Sequence, residues 1–485
     1  MTKRRTLTRR AAAGALGLGT SALLLDGFLG LPHANAEADE CVPPDEAPLL
    51  VICEFSGGWD TLLSLDPRNH QEFDDPAQGI ETAYDSITDP QTVALLAETG
   101  GTGLYQPPGS NVAYGPAMSK KLIDAHKDDL CVVRGVDMGT LTHEVGRRYF
   151  LTGKFPRGLA ASGSSLETAW AALSERLDEY QIPNLVSGGA ETYNQGFSPL
   201  ASGLSVPGYA EMSQALRPLN AALELDGEVV KAAAKFHQAD FEFHQALGAT
   251  EHLKAHRAAW STARTLTAGG VWKNFDFKAN PAAGSALDRL YDAFGVIKSN
   301  PGATLSGTAK GQAALAAQAL TSGVSQVVLM RIINVTDAHF DDDWQTNHPR
   351  RQREGFEAVG DLITLLKSTE DTNGKSLWDR TTLVCFSDFA RTPILNAQGG
   401  RDHHLASSCL VAGKGIKGNQ VVGATKDSTY DARRINLTTG APDDAMGERL
   451  RPSDIHATLL EAAGLCHTHL SNQDPKLITA MLKQG

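Results

Sequence analysis

Thr381–His404 reads TTLVCFSDFARTPILNAQGGRDHH, an apolar run that becomes a loop with two acids, two arginines and two histidines. Thr381 to Phe386 is short, apolar and rich in β-formers, the pattern of a strand buried on both faces. Ser387 and Asp388 fall at its carboxyl end, where open α/β sheets place their ligand sites. Pro393 and Gly399-Gly400 then break regular structure before Arg401-Asp402-His403-His404. Carboxylates and imidazoles delivered together by a strand end and its loop can ligate a metal or move protons. A solvated charged loop is the competing reading. It weakens because other strand ends repeat the pattern.

Working upstream, Leu49 to Phe55 (LLVICEF) is a second buried strand, running into Ser56-Gly57-Gly58-Trp59-Asp60. The two glycines permit a tight turn, and Asp60 sits at the strand end as a site residue or a turn-forming aspartate. Leu130 to Val136 (LCVVRGV) leads to Thr140, Thr142, His143, Arg147 and Arg148. A threonine there is an N-cap or a nucleophile beside helix amides. Val327 to Ile333 (VVLMRII) delivers Asp337 and His339, two residues apart and so on one side of an extended chain. Shorter strands are expected at Ile182–Val186 and Ser408–Ala412. Helical patterns cover Lys120–Lys127, Ser164–Leu177, Thr308–Ser322, Pro349–Thr369 and Asp454–Ala463.

Strands alternating with helices predict an α/β fold with a doubly wound, largely parallel sheet. Residues 66–117 read as a long surface excursion. From about 209 to 299 the chain is mostly helical and alanine-rich, which predicts a helical insertion or cap. His252 and His256 would share a helix face there, a solvated face in preference to a metal site, since no acid or cysteine completes a ligand set. No Walker loop, no Gly-x-Ser-x-Gly elbow and no internal repeat is present.

The N-terminus reads as an address. Arg4-Arg5 and Arg9-Arg10 precede the apolar run Ala11–Leu25, and Ala34-Asn35-Ala36 is a small-x-small cleavage site. This predicts a twin-arginine export signal over residues 1–36, a mature domain over 37–485, the twin-arginine translocase as a partner, and a periplasmic or secreted location. No stretch reaches the ~20 apolar residues of a membrane span. The leader holds five bases and one acid, leaving 39 bases against 55 acids and a net charge of −16. That balance excludes a nucleic-acid partner. Of six cysteines, Cys53, Cys131, Cys385 and Cys409 sit in apolar runs as buried thiols, and Cys41 with Cys466 is the remaining disulfide pair.

In a parallel sheet the strand ends gather on one edge. Asp60, Thr142/His143, Asp337/His339 and Asp388 are thereby brought towards Asp402, His403 and His404. Mixed oxygen and nitrogen ligands suit one or two divalent ions (zinc, manganese, magnesium or calcium), and two would clamp both oxygens of a phosphoryl or sulfuryl transfer.

The leader, Gly57 to Asp60, Asp337-Ala338-His339, Ser387 to Pro393 and Gly400 to His403 together resemble the domain of unknown function 1501 family, grouped with the alkaline-phosphatase/sulfatase-like superfamily. The resemblance spans most of the mature chain. It implies an alkaline-phosphatase-like sheet and Asp60, Asp337, His339, Asp388 and His403 as metal ligands. It implies Thr142 as nucleophile, with Thr140 and Thr61 as rivals. Arg147 or Arg391 would neutralise the transferring group. Two departures stand out. Phe389 follows Asp388 where alkaline phosphatases have histidine, and Cys41-Val42-Pro43-Pro44-Asp45 lacks the arginine of a formylglycine motif. The expected activity is metal-dependent hydrolysis of phosphate or sulfate esters, on a small-molecule or polysaccharide substrate. The alternatives are a non-catalytic exported metal- or ligand-binding protein on the same fold, and a mutase or transferase.

Overall fold

The computed structural model describes residues 44–217, 227–246, 266, 270–334 and 337–483. Eight strands form the central sheet: β1 (Leu49–Phe55), β2 (Leu130–Asp137), β3 (Asn184–Ser187), β4 (Leu204–Val206), β5 (Val327–Ile333), β6 (Thr381–Ser387), β7 (Ala406–Gly413) and β8 (Gln420–Gly423). Their order is β8-β2-β7-β6-β1-β5-β3-β4. β1 lies at the centre, parallel to both β5 and β6. β7 alone runs antiparallel, between β2 and β6. The fold is therefore α/β with a largely parallel sheet, as the alternation of strands and helices predicts.

β1 is buried along its whole length because both faces of the sheet are covered. Leu49, Val51, Cys53 and Phe55 face one core, with α1 (Lys120–His126), α4 (Ala309–Thr321) and α5 (His348–Ser368). Leu50 and Ile52 face the other, with α2 (His143–Thr152), α3 (Leu166–Leu173) and α6 (Pro452–Ala463). The period-2 alternation of one strand thus feeds two layers of helices.

The expected insertion contains helices at Tyr209–Leu216, Gly227–Ala246 and Ala286–Phe294. Met212, Tyr291 and Phe294 are buried in the same core as α4 and α5, so the first and last of these helices join that layer, whereas the described side chains of the middle one are exposed. Residues 66–117 correct the expectation of a surface excursion: Tyr84, Val112 and Tyr114 are fully buried. The leader, Cys41, His252 and His256 lie outside the described residues. Cys466 is disulfide-bonded, and the other four cysteines are free and buried. No helix among the described residues is long and apolar enough to cross a membrane.

Candidate metal centre

Three strand ends and one loop meet beyond the carboxyl edge of the sheet. The chain leaves β1 through Gly57 and Gly58, both at positive φ; a Cβ on Gly58 would fall 2.5 Å from the Phe389 ring. The turn holds Asp388, whose Oδ2 accepts from the Gly57 amide at 3.0 Å. Helix α2 comes close enough to reach the same carboxylate because residue 146 is glycine; a Cβ there would lie 2.1 Å from the Asp388 carbonyl oxygen. His143, the first residue of α2, donates from Nδ1 to Asp388 Oδ2 at 2.8 Å. The assignment of donor follows from the acceptor, which already receives the Gly57 N–H.

Two more imidazoles are fixed in the same way. His403 Nδ1 lies 2.6 Å from the Leu141 carbonyl oxygen, which can only accept. His339 Nδ1 lies 2.8 Å from Asp402 Oδ1, which also accepts from Asn396 at 3.1 Å. Burial pushes the Asp402 carboxyl upward, but the bonds from His339 and Asn396 outweigh it and hold the group below the ordinary carboxylate range. Each ring thus has an oxygen at Nδ1, and Nε2 is the atom left to face the site. Phe389 packs between two of them, its centroid 4.6 Å from His143 and 4.3 Å from His403.

The ligand atoms converge. His339 Nε2 lies 2.9 Å from His403 Nε2 and 3.2 Å from Asp337 Oδ1. One donor atom each from His143, Asp337 and His403 falls within 4.8 Å of the others. Burial lowers His403 to about 4, with Arg391 and the other two imidazoles adding to the effect, so it is neutral at pH 7. At that separation the two nitrogens share a proton or a cation, and Arg391 Nη1 lies 3.5 Å from His339 Nε2. Three imidazoles and one carboxylate are also the donor set of a divalent transition metal. Orientation of each ring by an oxygen acceptor is the usual outer layer of such a site. The residues present fit a metal ion.

Arg391 secures the carboxylate. It is fully buried and donates from Nε to Gly58 O at 2.8 Å, from Nη1 to Arg401 O at 3.1 Å and from Nη2 to Asp337 Oδ1 at 2.7 Å and to Gly57 O. Burial opposes ionisation of Asp337, and the charge of Arg391 wins, holding the carboxyl below its usual range.

The expected residues divide. Asp337 and His403 come together with His143, and His339 adjoins them through His403 Nε2 at 2.9 Å and Asp337 Oδ1 at 3.2 Å. Asp388 is brought to the site but as the acceptor that orients His143. Asp60 is not brought there: it is fully buried, with Oδ1 accepting from Leu62 N at 3.0 Å and Oδ2 from Trp344 Nε1 at 2.8 Å, and with Arg401 Nε 3.0 Å from Oδ2. Protein donors meet both its oxygens. Arg147 is also turned inward, to Glu191 at 2.8 Å, with Glu54 at 3.9 Å and Asp388 at 4.0 Å. Neither Arg147 nor Arg391 faces an incoming substrate. Among the threonines, Thr61 is buried with its hydroxyl 2.9 Å from Tyr430 Oη, and Thr140 Oγ1 accepts from Thr142 N at 3.1 Å. Thr142 is exposed at the N-cap of α2, and its side chain makes no capping bond. The member of the cluster missing from the expected set is His143. Its only sequence signal was its place after a buried strand and next to the favoured threonine.

The chain belongs to the family described as protein of unknown function (DUF1501), which matches residues 47–474. No curated protein matches it. Among solved structures it is similar to Ps i-CgsB in complex with k-i-k-neocarrahexaose, at 8% identity over 89% of this chain and 77% of that one, with a TM-score of 0.34. It is similar to the lipoteichoic acid synthase LtaP from Listeria monocytogenes, at 9% identity over 90% and 75% with a TM-score of 0.34. It is also similar to PsFucS1 sulfatase from Pseudoalteromonas sp., at 11% identity over 90% and 72% with a TM-score of 0.36.

Proposed function

We propose that this chain is an exported hydrolase of phosphate or sulfate esters on an alkaline-phosphatase/sulfatase-like scaffold. One divalent ion would be held by His143, Asp337, His339 and His403. The observation that carries the reading is the convergence of one donor atom each from His143, Asp337 and His403 within 4.8 Å, with His339 Nε2 2.9 Å from His403 Nε2. The twin-arginine leader supports export to the periplasm or beyond.

When bound, such an ion supplies a Lewis acid for the ester oxygens and lowers the pKa of a hydroxyl or water beside it. The chain supplies the rest. Asp388, Leu141 O and Asp402 fix the three rings, and Arg391 fixes Asp337. Thr142 presents its hydroxyl next to His143 and is the nucleophile in this reading. Its oxygen bonds to phosphorus or sulfur, the alcohol leaves with a proton, and water then releases the anion and restores the threonine. The N-terminus of α2, whose first helical bond runs from Gly146 N to Thr142 O at 2.9 Å, would offer its leading amides to the ester anion.

The test is elemental analysis of protein purified without chelator, beside His339→Ala, followed by a panel of phosphate and sulfate esters. Near-stoichiometric metal in the parent, its loss in the variant, and turnover only in the parent are the expected results. Absence of metal from folded parent protein would end the proposal.

The inward turn of both arginines favours a second reading, a non-catalytic metal- or ligand-binding protein. Metal-loaded protein that cleaves nothing on the panel would move the assignment there.

A further inference from the structure

Each of the three loops that carry an imidazole also exposes one large apolar side chain within two residues of it. Leu141 precedes His143 and is 49% exposed, Phe340 follows His339 at 59%, and Leu405 follows His403 at 46%. Their backbones are tied to the site. Leu141 O holds His403, and Leu405 O accepts from Met138 N at 2.9 Å, on the segment that leads to His143. Phe155 extends the same face: it is 48% exposed and would lie 3.5 Å from a Cβ on Gly139. Single exposed apolar residues are common, whereas one beside each of three convergent ligands marks a surface that meets something apolar.

The charges at the mouth narrow the ligand. Asp337 and Asp402 are the partly exposed acids of the site. Its guanidinium groups are withdrawn: Arg391 and Arg401 are fully buried, and Arg147 is turned to Glu191. A polysulfated saccharide is recognised by exposed cations arranged along its length. This mouth offers carboxylates and hydrocarbon in their place.

Resting on the hydrolase reading above, we infer that the substrate is a monoester of an apolar alcohol. Its single anionic group would enter the histidine cluster, and its hydrocarbon would lie on Leu141, Phe340 and Leu405. Polyanionic saccharides are disfavoured at the same mouth, which lacks exposed guanidinium groups and carries the exposed carboxylate of Asp402.

The experiment uses the full metal-loaded protein and an alkyl series with one leaving-group chemistry: methyl, butyl and octyl phosphate and sulfate, beside a sulfated oligosaccharide. In parallel, calorimetry measures binding of methylphosphonate and octylphosphonate, which are not cleaved. We expect kcat/KM to rise at least about tenfold from methyl to octyl, the effect of burying roughly two methylenes. Octylphosphonate should bind at least about tenfold tighter than methylphosphonate. Both ratios should collapse towards one in the surface variant Phe340→Ser/Leu405→Ser. Turnover absent throughout, with chain-length-dependent binding retained and lost in the variant, would remove the hydrolase reading and leave the apolar mouth in place. Binding independent of chain length, a ratio unchanged in the variant, or preference for the sulfated oligosaccharide would each overturn the inference.

Discussion

Asp60 and Asp337 lie beyond the ends of neighbouring parallel strands, and they have opposite fates. Around Asp60 the protein closes. Both oxygens receive protein donors, the counter-charge is the fully buried Arg401, and His348 accepts the Asp60 amide at 2.7 Å. Around Asp337 the protein stops short. Arg391 Nη2 and His339 Nε2 both approach Oδ1 of the carboxylate, at 2.7 and 3.2 Å, and the side chain stays 42% exposed. A functional acid is thus distinguished by what its surroundings leave unanswered. Neither its residue type nor its place at a strand end separates it from a structural one.

The sharpest way to break this contrast is to remove each acid. Asp60→Ala leaves Arg401 buried without its partner, although Arg401 still donates to Thr392 O, Glu81 O and Thr82 O. The expected loss is about 3–5 kcal/mol, read from the midpoint of urea unfolding. His339→Ala removes exposed hydrogen bonds and should cost the metal-free protein no more than about 1 kcal/mol while abolishing metal binding. If Asp60→Ala kept its stability and lost the metal, Asp60 would be a ligand and the contrast would vanish.

A smaller effect is expected one layer out. Asp402→Asn keeps the shape of the side chain but loses the charge that faces His339 Nδ1. Substitution of such an orienting acid costs about 10–100-fold in metal affinity. A competition titration against a chromophoric chelator would measure it, with the urea midpoint as a check on folding. Unchanged affinity would mean that ring orientation is set elsewhere, by Phe389 for example.

Much of the frame was legible because it rests on local patterns. Leu49–Phe55, Val327–Ile333 and Thr381–Ser387 are largely apolar runs, broken by Glu54, Arg331 and three hydroxyl residues, and strands covered on both faces favour such runs. The reversed direction of β7 was not legible, since its apolar run reads the same from either end. Within the site, Asp337 and His339 were singled out from a strand end and His403 from the loop after β6, and the fold places the three side by side. The difference between Asp60 and Asp337 was hidden because Arg401 and Trp344 reach Asp60 from more than 280 positions away. His143 was passed over for Thr142 because its role depends on how closely α2 approaches Asp388, which Gly146 permits and no spacing rule records.

The smallest expected effect lies beneath the open site. Glu54 of β1 is fully buried beside Arg331 of β5, at 3.1 Å, and its Oε2 has no hydrogen-bond partner; Asp388 Oδ1 is likewise unpartnered. The closed corner has donors for both oxygens of Asp60, whereas these two carboxylates are each one donor short. Burial raises Glu54 to about 7, the charges of Arg331 and Arg147 pull it down, and Asp388 pushes it up. With the folded value above the unfolded one, the fold favours the protonated acid. Its contribution to stability is complete below about 4.5 and is lost as the pH rises through 7. Glu54→Gln keeps the shape and removes the titration. Urea midpoints measured between pH 4.5 and 7.5 should then fall with pH in the parent more steeply than in the variant, by less than one proton's worth of slope. A constant offset between the two proteins at every pH would show instead that Glu54 is ionised in the fold throughout. It would then belong with Asp60 as an answered charge, and the layer under the histidines would be as closed as the corner beside it.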